Sequence, residues 1–212
     1  MHISIQIEIV NWNILMTEIY KTIRPGHLFQ TNRTGAGPDY SFDYSNNYNS
    51  LPFIEMSKLR LNLLKKYIPN FKSVCDFGYG NGAFIEHCHE QGYESYAYDI
   101  SDYPAPEGVI RLHDINNVDV DVLTFFDSLE HIFQEDLIPF LQSLSCKYFV
   151  ISVPWCHHTL GEEWFYNWKH RKPNEHFHHF DTNGIIGLLV ESGCKIIHVC
   201  NDEDQIRKST DD

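Results

Sequence analysis

The spacing of apolar residues becomes regular after residue 50. Residues 53–68 place Ile54, Leu61, Leu64 and Ile68 on one face of a predicted helix, which Pro69 ends. Beyond it, short apolar runs typical of strands alternate with helix-length segments. The predicted strands are SVCDF, ESYAYDI, VIRLHDI, DVLTFFD, YFVISVP and CKIIHVC, and the predicted helices are GAFIEHCHEQG, QEDLIPFLQSLS and TNGIIGLLVESG. This alternation predicts an α/β fold with a doubly wound, mostly parallel sheet and helices on both faces.

Two segments depart from this alternation. Residues 1–50 form a predicted N-terminal extension: HISIQIEIV has the period of an edge strand or is a disordered leader, and a loop rich in Gly, Asn and Tyr follows. Residues 154–181 are long for a connection and hold many aromatic residues and histidines. Long connections in compact domains are usually functional, so we predict an insertion that covers the site of the domain 51–212.

Composition narrows the class of protein. The chain has 212 residues and a formal net charge of −13, and only KHRK at 169–172 is locally basic, so duplex nucleic acid is an unlikely partner. No apolar run is long enough to span a bilayer, and the N-terminus lacks the pattern of a signal peptide. Six cysteines without a CxxC pair are typical of reduced thiols. We therefore expect a cytoplasmic protein without a membrane partner.

The loop VCDFGYGNGAF, residues 74–84, carries the clearest chemical signal. Gly78, Gly80 and Gly82 follow a predicted strand and precede a helix, where glycines let the backbone approach a ligand. The spacing Gly78, Gly80, Ala83 also satisfies the dinucleotide pattern, so the glycines alone leave a nicotinamide cofactor open. Asp76 precedes them, and its negative charge disfavours a pyrophosphate and favours a ligand with an amino group and a sulfonium.

Three motifs resemble those of the class I S-adenosylmethionine-dependent methyltransferases. They are DFGYGNG, the acid Asp99 in YAYDIS, and FFDSLEHI at 125–132. The later segment EEWFYNWKHRKPNEHFHHF is similar to the ubiquinone-type group, which is related to some glycan-modifying enzymes. The resemblance covers about residues 53–200. Only NDEDQIRKSTDD follows, so we expect the final strand of that fold to be short or missing.

The resemblance implies S-adenosylmethionine as cofactor and a set of residues that bind it. The glycines would pass beneath the methionine part, Asp76 would orient its amino group, and Asp99 would accept both ribose hydroxyls. A helix cap is the alternative role for Asp99, and a turn is the equal alternative for Asp114. The implied cofactor-binding residues are Asp76, Gly78, Gly80, Gly82, Asp99, Ile100, Asp114, Phe126 and Asp127.

Two histidines are candidate catalytic bases. His131 and His176 lie in segments expected to face the pocket, and imidazole titrates near neutral pH. A structural hydrogen-bonding role is the alternative for each. His178 and His179 add metal-ligand residue types beside His176, but no recognised ligand spacing is present, so we predict no metal ligands.

The predicted function is methyl transfer from S-adenosylmethionine, to an oxygen of a small-molecule or glycan-like acceptor. Oxygen is favoured because the chain lacks the N-P-P-[YFW] signature of enzymes that methylate nucleic-acid amino groups, and because the chain is acidic. A nicotinamide-dependent oxidoreductase is the alternative that the glycine spacing keeps open. A non-catalytic protein that retains the fold is the third interpretation.

Overall fold

The computed structural model describes residues 18–38 and 51–207. In chain order the elements are β1 (Tyr20–Arg24), β2 (His27–Gln30), α1 (Leu51–Tyr67), β3 (Ser73–Phe77), α2 (Ala83–Glu90), β4 (Glu94–Tyr98), β5 (Ile110–Leu112), β6 (Asp119–Phe126), α3 (Ile138–Ser143), β7 (Ser145–Ser152), α4 (Gly161–Asn167), β8 (His178–Phe180), α5 (Thr182–Glu191) and α6 (Asp204–Arg207). Short 3₁₀ turns lie at Ile115–Asn117, Leu129–His131 and His158–Leu160.

Five parallel strands form the main sheet, in the order β5-β4-β3-β6-β7. The chain adds strands on one side of β3 as far as β5 and then crosses to its other side with β6. Such a reversal leaves a crevice at the carboxyl ends of the central strands, where ligands bind in open α/β sheets. Asp76 in β3 is in register with Ala97 of β4 and Thr124 of β6, so it lies at that crevice. The predicted fold class is confirmed.

Helices cover both faces of this sheet. Leu61 and Leu64 of α1 pack with Ile85 of α2 on one face. On the other face, Leu141 of α3 and Leu188 of α5 pack against the apolar side of β6. Of the predicted helical face, Leu61, Leu64 and Ile68 are buried, whereas Ile54 is 53% exposed. The apolar stripe reaches the sheet only over the second half of α1.

A second, antiparallel sheet has the order β1-β2-β8. It joins part of the predicted N-terminal extension to the predicted insertion 154–181. His27 of β2 and His178 of β8 are hydrogen-bonded through Nε2 and Nδ1 at 2.8 Å, and both are buried. The HISIQIEIV segment and most of the Gly/Asn/Tyr-rich loop lie outside the described residues. The strands β1 and β2 are not among the sequence predictions.

The predicted strand CKIIHVC is wrong. Residues 194–200 form no strand, and Ile197 and Val199 are 57% and 53% exposed. An alternating pattern forms a strand only where a neighbouring strand offers its backbone, and here His198 instead stacks on Tyr67 of α1, with ring centroids 3.8 Å apart. Among the described residues the main sheet therefore ends at β7. No helix in 18–38 or 51–207 is long and apolar enough to cross a bilayer.

Candidate active site

The glycine loop between β3 and α2 has one open face. Gly78, Gly80 and Gly82 all have positive φ, at 75°, 53° and 80°. A Cβ atom at Gly78 would lie 2.6 Å from Ser128 Cβ, and one at Gly82 would lie 2.5 Å from Pro106 Cγ. At Gly80 nothing lies within 4 Å of that position. Two of the glycines are therefore required by packing, whereas Gly80 presents its backbone to open space at the crevice.

Asp99 follows β4 and fixes this loop. One carboxylate oxygen accepts a hydrogen bond from the Gly80 N–H at 3.1 Å, and the other accepts from the Ser101 N–H at 2.8 Å. The next residue, Ile100, is 77% exposed although it is apolar. An acid beside an exposed apolar side chain matches the two surfaces of an adenosine, its polar ribose and its flat base.

Asp76 is a buried acid whose negative charge is only partly stabilised by its surroundings. Its carboxylate accepts a hydrogen bond from Thr124 Oγ1 at 2.6 Å. Burial raises the pKa of Asp76 to about 7; the Thr124 hydrogen bond and the charge of Arg60 oppose this rise, and the charge of Asp99 adds to it. A cationic group of a ligand placed beside Asp76 would stabilise the ionised form.

The C-terminal segment binds to the carboxyl ends of β6 and β7 through ion pairs. Glu203 accepts hydrogen bonds from Arg60 at 2.7 and 3.0 Å and from Ser152 Oγ at 2.9 Å. Arg207 donates to Asp127 at 2.6 Å and to Glu203 at 2.8 Å. Burial of Glu203 opposes its charge, but the two arginines outweigh burial and lower its pKa to about 2.

These ion pairs adjoin two of the predicted cofactor residues. The Arg60 guanidinium lies 4.0 Å from the centroid of the Phe126 ring, and Asp127 adopts a left-handed conformation with φ of 52°. Sequence reasoning missed Arg60, Glu203 and Arg207. The sequence NDEDQIR does not indicate the partners of its charged residues, because these contacts join segments more than 50 residues apart.

Asp114 has a local structural role. Its carboxylate caps the turn Ile115–Asn117 and accepts from the Asn116 N–H at 3.0 Å and from its side-chain amide at 2.9 Å. These bonds correspond to the turn alternative. A contact between Asp114 and the adenine stays a prediction.

The two candidate bases lie against one another. The rings of His131 and His176 have centroids 4.6 Å apart. Nδ1 of His176 lies 2.8 Å from the His170 carbonyl oxygen, so Nδ1 donates there and Nε2 carries the lone pair. Burial, then the charges of His131 and Lys172, lower the pKa of His176 to about 2, and burial also lowers the pKa of His131. Both imidazoles are neutral at pH 7, and His176 is a weak base.

Glu130 completes this group and was missed by sequence reasoning. It is 1% exposed, and neither carboxylate oxygen has a hydrogen-bond partner. Burial, then the negative charge of Asp127, raise its pKa well above its usual value. One ligand atom each from Glu130, His131 and His176 lie within 4.8 Å of one another. The motif SLEH contains Glu130, but the sequence alone does not show that this acid is buried.

A sequence comparison with family models is decisive for the class of protein. The model of a methyltransferase domain matches residues 50–199, well over half of the chain. The chain belongs to this methyltransferase-domain family. A comparison with functionally curated proteins finds no significant match.

The chain is also similar to solved structures. A methyltransferase dependent on S-adenosylmethionine from Archaeoglobus fulgidus is similar at 21% identity, over 81% of this chain and 90% of that one, with a TM-score of 0.53. Magnesium protoporphyrin IX methyltransferase from Synechocystis PCC 6803, solved with S-adenosylhomocysteine, matches at 17% identity over 75% of this chain and 80% of that one, with a TM-score of 0.48.

The chain is thus a methyltransferase-domain enzyme. Its own residues fit S-adenosylmethionine as the cofactor. The open face of Gly80 leaves room for a ligand, Asp99 offers acceptor oxygens beside the exposed Ile100, and Asp76 holds a buried carboxyl suited to an amino group. The nicotinamide alternative is not supported, because the family match is to a methyltransferase domain.

Proposed function

We propose that the enzyme transfers the methyl group to an oxygen of a small-molecule or glycan-like acceptor. The observation that carries this proposal is the group Glu130, His131 and His176 directly beyond Asp127 at the carboxyl end of β6. A hydroxyl acceptor must lose a proton when it is methylated, and this group offers hydrogen-bond acceptors, among them the Nε2 lone pair of His176.

In this proposal the cofactor lies across the carboxyl ends of β3, β4 and β6. The Gly80 backbone and Asp76 contact the methionine part, Asp99 accepts the ribose hydroxyls, and Ile100 covers the adenine. Phe126 and Asp127 line the space next to the transferred methyl. The exposure of Ile100 and the open face of Gly80 support this placement.

When bound, the cofactor supplies an electrophilic methyl group on a positively charged sulfur. The contribution of the chain is then to align the acceptor oxygen and to keep water out. The acceptor oxygen would lose its proton as it takes up the methyl group. Nε2 of His176 would accept the hydrogen bond of that hydroxyl, and the proton would pass through this nitrogen to His131, whose ring centroid lies 4.6 Å away. The side chain of His131 is 21% exposed, so the proton would leave from there to water.

The test is a methyl-transfer assay with isotope-labelled S-adenosylmethionine on a matched panel of hydroxyl and amine compounds, including mono- and disaccharides. Label in an O-methyl product is the expected result, and label confined to amine products would contradict the oxygen assignment. His176→Gln should lower kcat while S-adenosylhomocysteine affinity stays within a few-fold. His87→Gln, in a histidine on the surface helix α2, is the matched control and should leave both values unchanged.

A further inference from the structure

We call Glu130, His131 and His176 the Glu130 cluster. Hydrogen bonds within the protein do not satisfy the buried carboxylate of this cluster. The Glu130 carboxylate is buried, and neither of its oxygens has a hydrogen-bond partner. Its Oε1 lies 3.9 Å from His131 Nε2, too far for a hydrogen bond. Buried polar atoms in proteins are almost always paired, so an unpaired carboxylate of this kind points to a ligand that completes it.

The orientation of His176 points to the same ligand. Its Nδ1 donates to the His170 carbonyl oxygen at 2.8 Å, which fixes the tautomer and leaves the lone pair on Nε2, 3.8 Å from Glu175 Oε1. Histidines that bind a metal ion typically donate their other ring N–H to a backbone carbonyl in this way. The cluster therefore has an ordered imidazole ligand with its supporting hydrogen bond already in place.

We propose that the Glu130 cluster binds one divalent transition-metal ion, such as Zn²⁺ or Mn²⁺. Two imidazoles and one carboxylate are a donor set that such ions accept, whereas Mg²⁺ prefers oxygen ligands alone. The ligand atoms lie within 4.8 Å of one another. An ion with bonds of about 2.0–2.2 Å would hold these ligand atoms closer together than 4.8 Å, so the side chains must move toward one another by a small part of that distance when the ion binds.

This proposal departs from the expectation of no metal ligands. That expectation rested on the spacing of histidines along the chain, within 176–179. The structure separates those residues, because His178 is hydrogen-bonded to His27 in the second sheet. It instead places His176 against Glu130 and His131, which lie about 45 positions earlier, so no local motif could show the set.

The backbone holds both halves of the cluster together. The Phe177 N–H donates to the Glu130 carbonyl oxygen at 2.8 Å, which ties β8 to the turn that carries Glu130 and His131. Three residues in the adjoining loops, Asp127, Lys172 and Asn174, have left-handed φ values of 52°, 34° and 66°. Non-glycine residues keep such conformations where surrounding structure enforces them, so the loops are held in this arrangement.

Two basic side chains, Arg207 and Lys172, act on the Glu130 carboxylate through their charge, but neither donates a hydrogen bond to it. Lys172 donates to Glu175 Oε1 at 2.9 Å, and that oxygen lies 3.8 Å from His176 Nε2. The ammonium is therefore hydrogen-bonded to a different carboxylate, and the Glu130 oxygens have no partner from it.

The role of the ion rests on the function proposed above. Three protein ligands leave coordination positions open, and such positions accept a water or a substrate oxygen. An acceptor hydroxyl at that position would lie beside Asp127, next to the transferred methyl, and the positive charge would make its proton easier to remove. With the ion bound, the imidazoles of His131 and His176 would be its ligands, so the ion would bind the acceptor through its oxygen in place of the hydrogen bond to His176.

The test measures Mn²⁺ and Zn²⁺ binding to the chelator-treated protein without cofactor or acceptor. Mn²⁺ is followed by the loss of the free-ion electron paramagnetic resonance signal, and Zn²⁺ by calorimetry. We expect one equivalent to bind, with Glu130→Gln and His176→Gln each weakening affinity at least about tenfold, as loss of a ligand or its support does. His87→Gln and Glu90→Gln are the matched controls, because His87 Nδ1 lies 3.6 Å from Glu90 Oε2 on α2. Both should bind as the wild type does.

Unchanged affinity in Glu130→Gln and His176→Gln, or no bound equivalent in the wild type, would overturn the metal site. Thermal melting of metal-free Glu130→Gln guards against misfolding: its melting temperature should not fall, because an unpaired buried carboxylate is removed. S-adenosylhomocysteine affinity, measured without metal, separates the two proposals. If the wild type did not bind S-adenosylhomocysteine, only the cofactor site would be contradicted. If the wild type bound S-adenosylhomocysteine but no ion, only the metal site would be contradicted, and the proposed methyl transfer would stand.

Discussion

Glu203→Gln tests the ion pairs that hold the C-terminal segment at the carboxyl ends of the strands. Arg60 and Arg207 lower the pKa of Glu203 from 4.5 to about 2 against the opposing effect of burial, and the side chain is only 14% exposed. At about 1.4 kcal/mol for each pKa unit, this difference corresponds to roughly 3 kcal/mol of folding free energy at neutral pH. Gln keeps the shape but removes the charge, so we expect a loss of about that size.

The contribution of Glu203 to folding stability should depend on pH in a definite direction. The pKa of Glu203 is lower in the folded than in the unfolded protein, so its stabilisation is present above pH 4.5 and is lost as the pH falls toward 2. Urea denaturation between pH 7 and pH 2.5 should show the difference between wild type and Glu203→Gln shrinking over that window.

A matched control uses an exposed pair. Glu135 pairs with Lys21 on the surface, with 47% and 56% of the side chains exposed, so Glu135→Gln should change stability by no more than about 1 kcal/mol. If Glu203→Gln costs no more than Glu135→Gln at pH 7, or if its effect is independent of pH, the reasoning about these ion pairs is refuted.

Two further substitutions test the cofactor and acceptor sides. Asp99→Ala should weaken S-adenosylhomocysteine binding about ten- to a hundredfold, since hydrogen bonds to a charged acceptor contribute about 1.5–3 kcal/mol. Asp136→Ala, which removes the acceptor of the Ile138 N–H at the start of α3, serves as the control, and equal losses in both would contradict the assignment. Trp164→Ala, in α4 of the insertion, should lower turnover and leave cofactor affinity within a few-fold by calorimetry; unchanged turnover would show that the segment only packs.

The main sheet was predictable because its strands are buried and its loops carry strong local signals. SVCDF and DVLTFFD are apolar runs bounded by turns, and both appear in the structure as central strands. The glycine loop was readable for the same reason, since positive φ at Gly78, Gly80 and Gly82 demands glycine.

The remainder depends on contacts between distant segments. CKIIHVC has the pattern of a strand, but no neighbouring strand pairs with it in the described residues, and the pattern alone cannot show that. The hairpin β1-β2 acquires its third strand from β8, about 150 residues later. The place of Glu130 in the site likewise depends on its burial near His176, which only the fold reveals.

The most direct test of the account is calorimetric titration of the purified protein with S-adenosylhomocysteine and, separately, with NAD⁺. The account predicts that S-adenosylhomocysteine binds with one equivalent and raises stability by about 2.7 kcal/mol at a hundredfold excess over its Kd, whereas NAD⁺ produces no measurable heat. Binding of NAD⁺ without binding of S-adenosylhomocysteine would contradict it.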